Sequence, residues 1–263
     1  MKSLLWGLLS LCVAGFAPAD DKPASVPLVL VFEPAVPAPP AGKAPVEWKQ
    51  DEMMDVVRVR MKAFKIKATV EPRGKDRLAV ALADPAQKAK ALDLLRQAGQ
   101  LGFHLVHPDT RMWVEDVNPS ETPPDGYRVL PVLQRKISDN VLREDKILVQ
   151  GEPELPRNIL KKALPGTYPN NEWRVLIDLT KEGGEGFRKL TEANIGKRLA
   201  VVLDDTVLWA PMIREAITQG QLEISAMGDE TAVRELCCLL NNPLPVPLRL
   251  VEEPPKAETP APK

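Results

Sequence analysis

Histidine is nearly absent from this 263-residue chain, cysteine occurs three times, and aromatic residues make up only 5%. Each shortage excludes a class of function. The two histidines, His104 and His107, stand three apart on an expected strand. Side chains alternate along a strand, so this spacing points them to opposite faces and they cannot chelate one metal ion. With no other histidine, the Ser-His and Cys-His nucleophile pairs cannot be assembled. Besides Cys12 there is only the adjacent pair Cys237 and Cys238, which is no disulfide framework. Both lie in an apolar helical stretch and read as small buried hydrophobes. Cys237 has no activating base near it in sequence, so a thiol nucleophile is not supported. The low aromatic content argues against a surface that stacks bases or sugars. Lys plus Arg number 35 and Asp plus Glu 36, for a formal net charge of -1, with no basic run. Nothing there suggests nucleic acid or an anionic membrane as partner. Beyond the N-terminus no apolar window reaches about 18 residues, so no membrane span is expected in the mature chain.

What is present begins with a leader. Lys2, the apolar run Leu4 to Phe16 and the small-x-small site Ala17-Pro18-Ala19 read as a secretory signal peptide over residues 1–19. The run is about 13 residues, short of the ~20 a bilayer requires. Asp20 then opens the mature chain. A lipid anchor at Cys12 would want a small residue where Leu11 stands, and the choice between cleavage and anchoring stays open. Residues 20–47 are proline-rich around a first strand, Val26 to Phe32, and residues 254–263 form a second proline-rich tail.

From Trp48 to Phe64 the spacing predicts a helix, with Met53, Val57, Met61 and Phe64 as its buried stripe and Arg58, Arg60 and Lys62 in solvent. A hairpin follows: Ile66 to Glu71, a turn at Gly74, then Leu78 to Leu82. Asp84-Pro85 starts a helix that buries Ala89, Leu92 and Leu95 or their neighbours. Phe103 to Val106 is the next strand. With the opening strand this reads β-α-β-β-α-β, the ferredoxin-like order. Further on, strands are expected near Tyr127 to Leu133 and Lys146 to Val149, and a short helix from Leu155 to Leu164. Trp173 to Leu179 is a half-buried strand, Phe187 to Ile195 a helix, Leu222 to Met227 a strand and Asp229 to Leu240 a helix. Leu244 to Val251 is extended, with prolines suited to a sheet edge.

The stretch Asn194 to Ile217 is the most distinctive. Gly196 stops a helix, Arg198 to Leu203 is a buried strand, Asp204 and Asp205 make a tight exposed turn, and Val207 to Trp209 returns. Gly196, Asp204 and Asp205 are structural residues on this reading. The two aspartates are turn formers rather than an acid/base pair. The nearby Lys181 to Gly186 lacks the G-K-[ST] ending of a phosphate loop and carries two carboxylates, so it reads as a flexible connection. For Trp209, Pro211, Met212, Ile213, Arg214 and Glu215 two readings stand. Burial of a Trp, Met or Ile is worth roughly 1.5–3 kcal/mol, so core packing alone accounts for them. Alternatively they line a groove for an extended apolar peptide.

At this stretch the chain resembles SecD, the accessory subunit of the bacterial protein-export translocon, in its first large extracytoplasmic domain. The resemblance is carried by Phe187 to Thr191, Asn194 to Asp204 and Ala210 to Glu215, with further similarity at Asp229 to Leu240 and Leu244 to Glu253. Upstream, Val57 to Ile66, Asp76 to Leu82 and Ala98 to Val106 are similar to the base of that domain. The resemblance implies an α+β protein: a split ferredoxin-like base over residues 48–116, an inserted α+β head over 127–241, and a last base strand returning from the C-terminus over 242–253. It also implies a bacterial periplasmic location, no cofactor and no catalytic residues. The partners would be unfolded or exported polypeptides, met through Trp209 to Glu215, and Sec translocon components. In the family the head is thought to swing relative to the base as protons pass through the membrane part.

This chain departs from the pattern. The family's Asp-Leu-x-Gly-Gly opening is replaced by Val26 to Phe32. Lys65 and Asp205 stand where glycines are expected, and Ala216 where a proline is. The sequence also ends where the family's membrane helices begin, so proton-driven transport is not implied for it alone. The expected function is a secreted, non-enzymatic accessory in protein export. The competing expectation is an envelope interaction module that kept the fold and lost the transport role.

Overall fold

The computed structural model describes residues 27–36, 47–111, 122–133, 136–137, 140–141, 146–225 and 228–252. The expected signal peptide, most of the proline-rich segment, the loop around residue 116 and the C-terminal tail lie outside the described residues. The first unit is a four-stranded sheet with two helices. It comprises β1 (Leu28–Pro34), α1 (Gln50–Ala63), β2 (Ala68–Arg73), β3 (Arg77–Leu82), α2 (Lys88–Arg96) and the C-terminal β14 (Leu248–Glu252). The order is β14–β1–β3–β2, antiparallel throughout. Leu30 and Phe32 of β1 meet Leu78, Val80 and Leu82 of β3 in a core that Met53, Val57 and Met61 of α1 cover. That is the stripe expected of α1, because those positions recur on one helix face.

Asp84 starts the next helical segment as expected: its carboxylate accepts from the Ala86 N–H at 3.0 Å over a short 3-10 turn, Pro85–Gln87. The helix proper begins only at Lys88, and the buried set is Ala91, Leu94 and Leu95. β14 sits at the sheet edge, where the preceding Pro243, Pro245 and Pro247 need donate nothing to a ladder.

The expectation that Phe103 to Val106 completes this sheet fails. β4 (Leu101–Leu105) instead pairs with β11 (Leu199–Leu203), Phe103 opposite Val201. β14 takes the place beside β1 because its Leu248 and Leu250 share the core under α2.

Between α2 and β14 the chain builds everything else. β10 (Trp173–Leu179) lies between β9 (Leu160–Thr167) and β13 (Gln221–Ser225), and α3 (Lys181–Ala193) and α4 (Glu230–Asn241) pack against this sheet. The helix expected over Leu155 to Leu164 is therefore a 3-10 turn, Arg157–Ile159, followed by a strand. Leu160 and Ala163 mimic a helical stripe, but pairing with β10 overrides it, and the edge position tolerates Pro165.

A further correction concerns Lys181 to Gly186, which is the start of α3 rather than a flexible connection. Thr180 caps it by accepting from the Gly183 N–H at 3.0 Å. A Cβ on Gly183 would stand 2.6 Å from Ile159 Cβ, so the glycine is there for close packing.

β11 is paired on both sides, by β4 and by β12 (Thr206–Trp209). β5 (Tyr127–Pro131) pairs with β8 (Lys146–Gln150), and β6 (Lys136–Ile137) with β7 (Asn140–Val141). Bridges Val106–Val149 and Val132–Val207 close β4, β11, β12, β5 and β8 into a ring. Its interior holds Leu130, Ile147, Val149, Ala200, Val202 and Val207. The alternate residues Leu199, Val201 and Leu203 face the larger core with Phe103, Phe187 and Ile177. β11 is thus apolar on both faces because it separates two cores.

Candidate functional site

The candidate surface starts at the β11–β12 turn. Asp204 takes φ +53, a left-handed conformation that Asp tolerates better than most residues. The expectation that both aspartates are merely exposed turn formers holds for Asp205 alone. Asp205 makes a surface ion pair with Arg128 at 2.9 Å, an interaction worth little. Asp204 is half-buried and accepts the backbone N–H groups of Gly99 at 3.1 Å and Gln100 at 2.9 Å. Its own N–H donates to the Gln100 carbonyl at 2.9 Å. The turn is therefore docked on the crossing from α2 to β4.

After Trp209 the chain runs back beside residues 196–199. The Leu199 N–H donates to Pro211 O, Ile213 N–H to Lys197 O, and Gly196 N–H to Ile213 O. Gly196 has φ +85, past the end of α3 at Ala193, and turns the chain into this pairing. The candidate residues divide. Ile213 is buried in the larger core. Pro211 is half-buried, Arg214 and Glu215 are exposed, and Trp209 and Met212 stand 37% and 60% exposed. Ile195, in the turn just before Gly196, is 55% exposed. Past Glu215 the backbone is pinned again: the buried Thr191 hydroxyl accepts from the Ile217 N–H at 2.9 Å and donates to Phe187 O at 2.8 Å. The result is a backbone fixed at both ends that holds an aromatic and a thioether side chain in solvent, two groups suited to adaptable apolar contact.

The second notable place is the junction between the two units, and sequence reasoning missed its main residue. Arg60 was expected in solvent and is 0% exposed. Its guanidinium donates to the carbonyls of Leu94 (3.1 Å), Gln97 and Ala98 (2.6 Å), and its Nε to that of Asn242 (2.9 Å). These carbonyls lie at the C-terminal ends of α2 and α4, where backbone acceptors lack intrahelical donors. Burial pushes the guanidinium down to about 10, so it stays charged at neutral pH. The signal was available: Arg60 is seven residues after Met53 and three after Val57, on the apolar stripe itself.

A cleft of about 530 Å³ opens beside this junction, lined by Glu52, Gln100, Asn158, Lys161, Asn241 and neighbouring residues. Along it the Asn241 amide pairs both ways with Ala163, accepting from its N–H at 2.8 Å and donating to its carbonyl at 2.7 Å. It occupies the edge of β9 as a neighbouring strand would.

The remaining polar candidates have structural partners. His104 is buried with Nδ1 2.8 Å from the Gln150 carbonyl, while His107 meets the Tyr127 ring edge-on at 4.8 Å. Among the described residues no group of three or more His, Cys, Asp or Glu is placed to hold a metal ion. Cys237 is buried in the larger core, and burial pushes its thiol up to about 11. Cys238 packs against the first unit's core. Among the described residues no helix is long and apolar enough to cross a membrane.

Comparison with known proteins gives a consistent picture. Residues 133–246 match the family model for the SecDF P1 head subdomain. Protein translocase subunit SecD of Syntrophobacter fumaroxidans is 27% identical over 212 residues, covering 76% of this chain and 38% of that protein. Protein translocase subunit SecDF of Thermus thermophilus is 33% identical over 187 residues, covering 70% of this chain and 24% of that protein. The chain thus spans well under half the length of these relatives. A solved structure of SecDF, a membrane component that enhances protein export, superposes with a TM-score of 0.58 at 28% identity, over 86% of this chain and 98% of that one. The head match takes in β9 to α4, including the Asp204 turn, Trp209 and Met212. By fold and by sequence, this chain carries a P1 domain of the SecD/SecDF type.

Proposed function

We propose that this protein is an extracytoplasmic accessory of protein export that contacts unfolded, exported polypeptides through its head and associates with Sec translocon components. The P1-type fold and the protein-translocase relatives support the export role. One observation carries the contact surface: Trp209 and Met212 are exposed on a stretch whose backbone is held by the β11 pairing at Trp209 and by hydrogen bonds at Pro211 and Ile213. Arg214 and Glu215, next in the chain, are exposed as well, and exposed Ile195 precedes Gly196, whose N–H donates to Ile213 O. Ile213 drops out of the contact set because it belongs to the core. A rigid backbone presenting flexible apolar side chains suits many clients, since little order is lost on binding.

The test is calorimetry of the chain from Asp20 onward with a reduced, carboxymethylated secretory polypeptide that stays unfolded. Covering one large apolar side chain is worth roughly 1.5–3 kcal/mol, so Trp209→Ala with Met212→Ala is expected to weaken binding by about tenfold or more. Far-UV circular dichroism checks that the double variant folds. A folded double variant that binds like the parent refutes this surface.

A further inference from the structure

Beyond Trp209 the chain forms a piece of sheet with one side open. Met212 makes an antiparallel bridge with Arg198. The bridge is framed by two bonds, Leu199 N–H to Pro211 O at 2.9 Å and Ile213 N–H to Lys197 O at 2.8 Å. Both belong to residues on either side of Met212, so Arg198 and Met212 are a non-hydrogen-bonded pair. The N–H and C=O of Met212 therefore point away from Arg198, toward the outer edge. Among the described residues neither group has a partner. Pro211 lacks its N–H on the inward side and leaves this edge intact.

Upstream, the same edge is already in use. Val132 bridges Val207 in parallel, and the Leu133 N–H donates to Val207 O at 2.9 Å. Among the described residues the pairing on this side ends at Val207, and the open part lies beyond it. Other edges are guarded. β2 carries Pro72 between Glu71 and Arg73, and β9 has Pro165 and the Asn241 amide on Ala163. Proline, charge and covering side chains keep foreign strands off an edge. At Met212 the outward donor and acceptor have no such cover. The exposed Trp209 and Met212 side chains flank them instead, sent to opposite faces by strand alternation.

We propose that this edge takes an extended polypeptide as an added β-strand, bound through the N–H and C=O of Met212. Alternate side chains of the incoming strand rest on Trp209 and on Met212. A peptide backbone is the matching occupant because one residue presents donor and acceptor together, the pattern an antiparallel partner residue answers with both of its own groups. Main-chain bonds of this kind give affinity without reading a sequence. The proposal rests on the reading of Trp209 and Met212 as the polypeptide contact and adds how the chain is held.

The test is NMR of the nitrogen-15-labelled chain from Asp20 onward with a synthetic peptide, alternating valine and threonine between lysine ends. At saturation the Met212 amide is expected to exchange about tenfold more slowly or better, while the Ile213 amide, already bonded, is unchanged. A peptide that shifts the Trp209 indole signal yet leaves Met212 exchange as it was overturns the added strand, and the contact surface survives. A peptide that moves neither signal also overturns it, and the polypeptide calorimetry above then decides separately whether the surface stands. Slow Met212 exchange in the free chain would mean the edge is already filled, by a second copy if the chain sediments as a dimer and by its own residues if it is a monomer. Either result overturns the proposal. Met212→Pro against Met212→Ala is the second measurement, since both lose the thioether and only proline loses the N–H. The proline variant is expected to bind the peptide roughly fivefold to tenfold more weakly, the worth of one hydrogen bond. Equal affinity of the two folded variants counts against the strand. If Met212→Pro does not fold, the exchange at Met212 decides alone.

Discussion

Replacing Arg60 by methionine tests how much the buried guanidinium stabilises the carbonyls around it, because Met is close in length and carries no donor. Four carbonyls lose the guanidinium: Leu94, Gln97, Ala98 and Asn242. Ala98 O keeps the Leu244 N–H, so three lose the partner seen here. Leu94 O is buried, and Gln97 O and Asn242 O are part-buried; at about 2 kcal/mol for each hydrogen bond to a charged group, the loss sums to about 6 kcal/mol. Against that stands relief from burying a charge. The depression of the guanidinium to about 10 corresponds to about 3 kcal/mol of desolvation that methionine does not suffer. The net expectation is a loss of about 3 kcal/mol, or a fall in Tm of roughly 6–12 °C for a protein of this size.

Urea unfolding followed by far-UV circular dichroism measures the loss as a shift in midpoint at unchanged slope. Arg60→Lys keeps the charge and three donors but not the planar fork, and is expected to lose clearly less. An Arg60→Met protein within about 0.5 kcal/mol of the parent would refute the reasoning, since it would mean that these acceptors do not need the guanidinium.

Two further outcomes follow from buried groups. With its thiol pushed up to about 11, Cys237 is expected to resist alkylation by iodoacetamide at pH 8 in the folded protein and to react once urea is added, as mass spectrometry of the labelled peptides would show. The sign of its pH linkage follows: a folded value above the unfolded one adds stability below about pH 9, lost as pH rises toward 11. For Gly183→Ala, the new Cβ would lie 2.6 Å from Ile159 Cβ and 2.8 Å from its carbonyl oxygen. Although alanine favours helix more than glycine by about 1 kcal/mol, overpacking here is expected to cost about 1–3 kcal/mol net, read as a lowered urea midpoint.

The residues themselves decide much of this protein. The spacing of Met53, Val57 and Met61 suffices for α1, the aspartates at 84 and 229 for two helical starts, and the unbroken apolar run Leu199 to Leu203 for a strand hidden on both faces. Such signals act within a turn or two of chain, through sterics and side-chain capping, so they survive whatever packs around them. The Gly-Lys-Arg and Ala-Pro-Met pieces around the hairpin were likewise enough to point to a SecD-type domain.

Tertiary structure alone decided which partner each strand takes and which of several equivalent side chains is buried. β4 looks like a fourth strand for the first sheet but pairs with β11, and Leu160 to Thr167 reads as helix but extends beside β10. Strand pairing depends on residues far away in sequence, which local propensity does not see. The same holds for charge. Arg60 could be placed on the buried stripe from its spacing, but only the convergence of α2 and α4 supplies the carbonyls that make burial of a guanidinium tolerable. Around the hairpin, the chain alone could not separate Ile213 from Trp209 and Met212. The backbone pairing with residues 196–199 does so, turning the first into the core and leaving the other two in water.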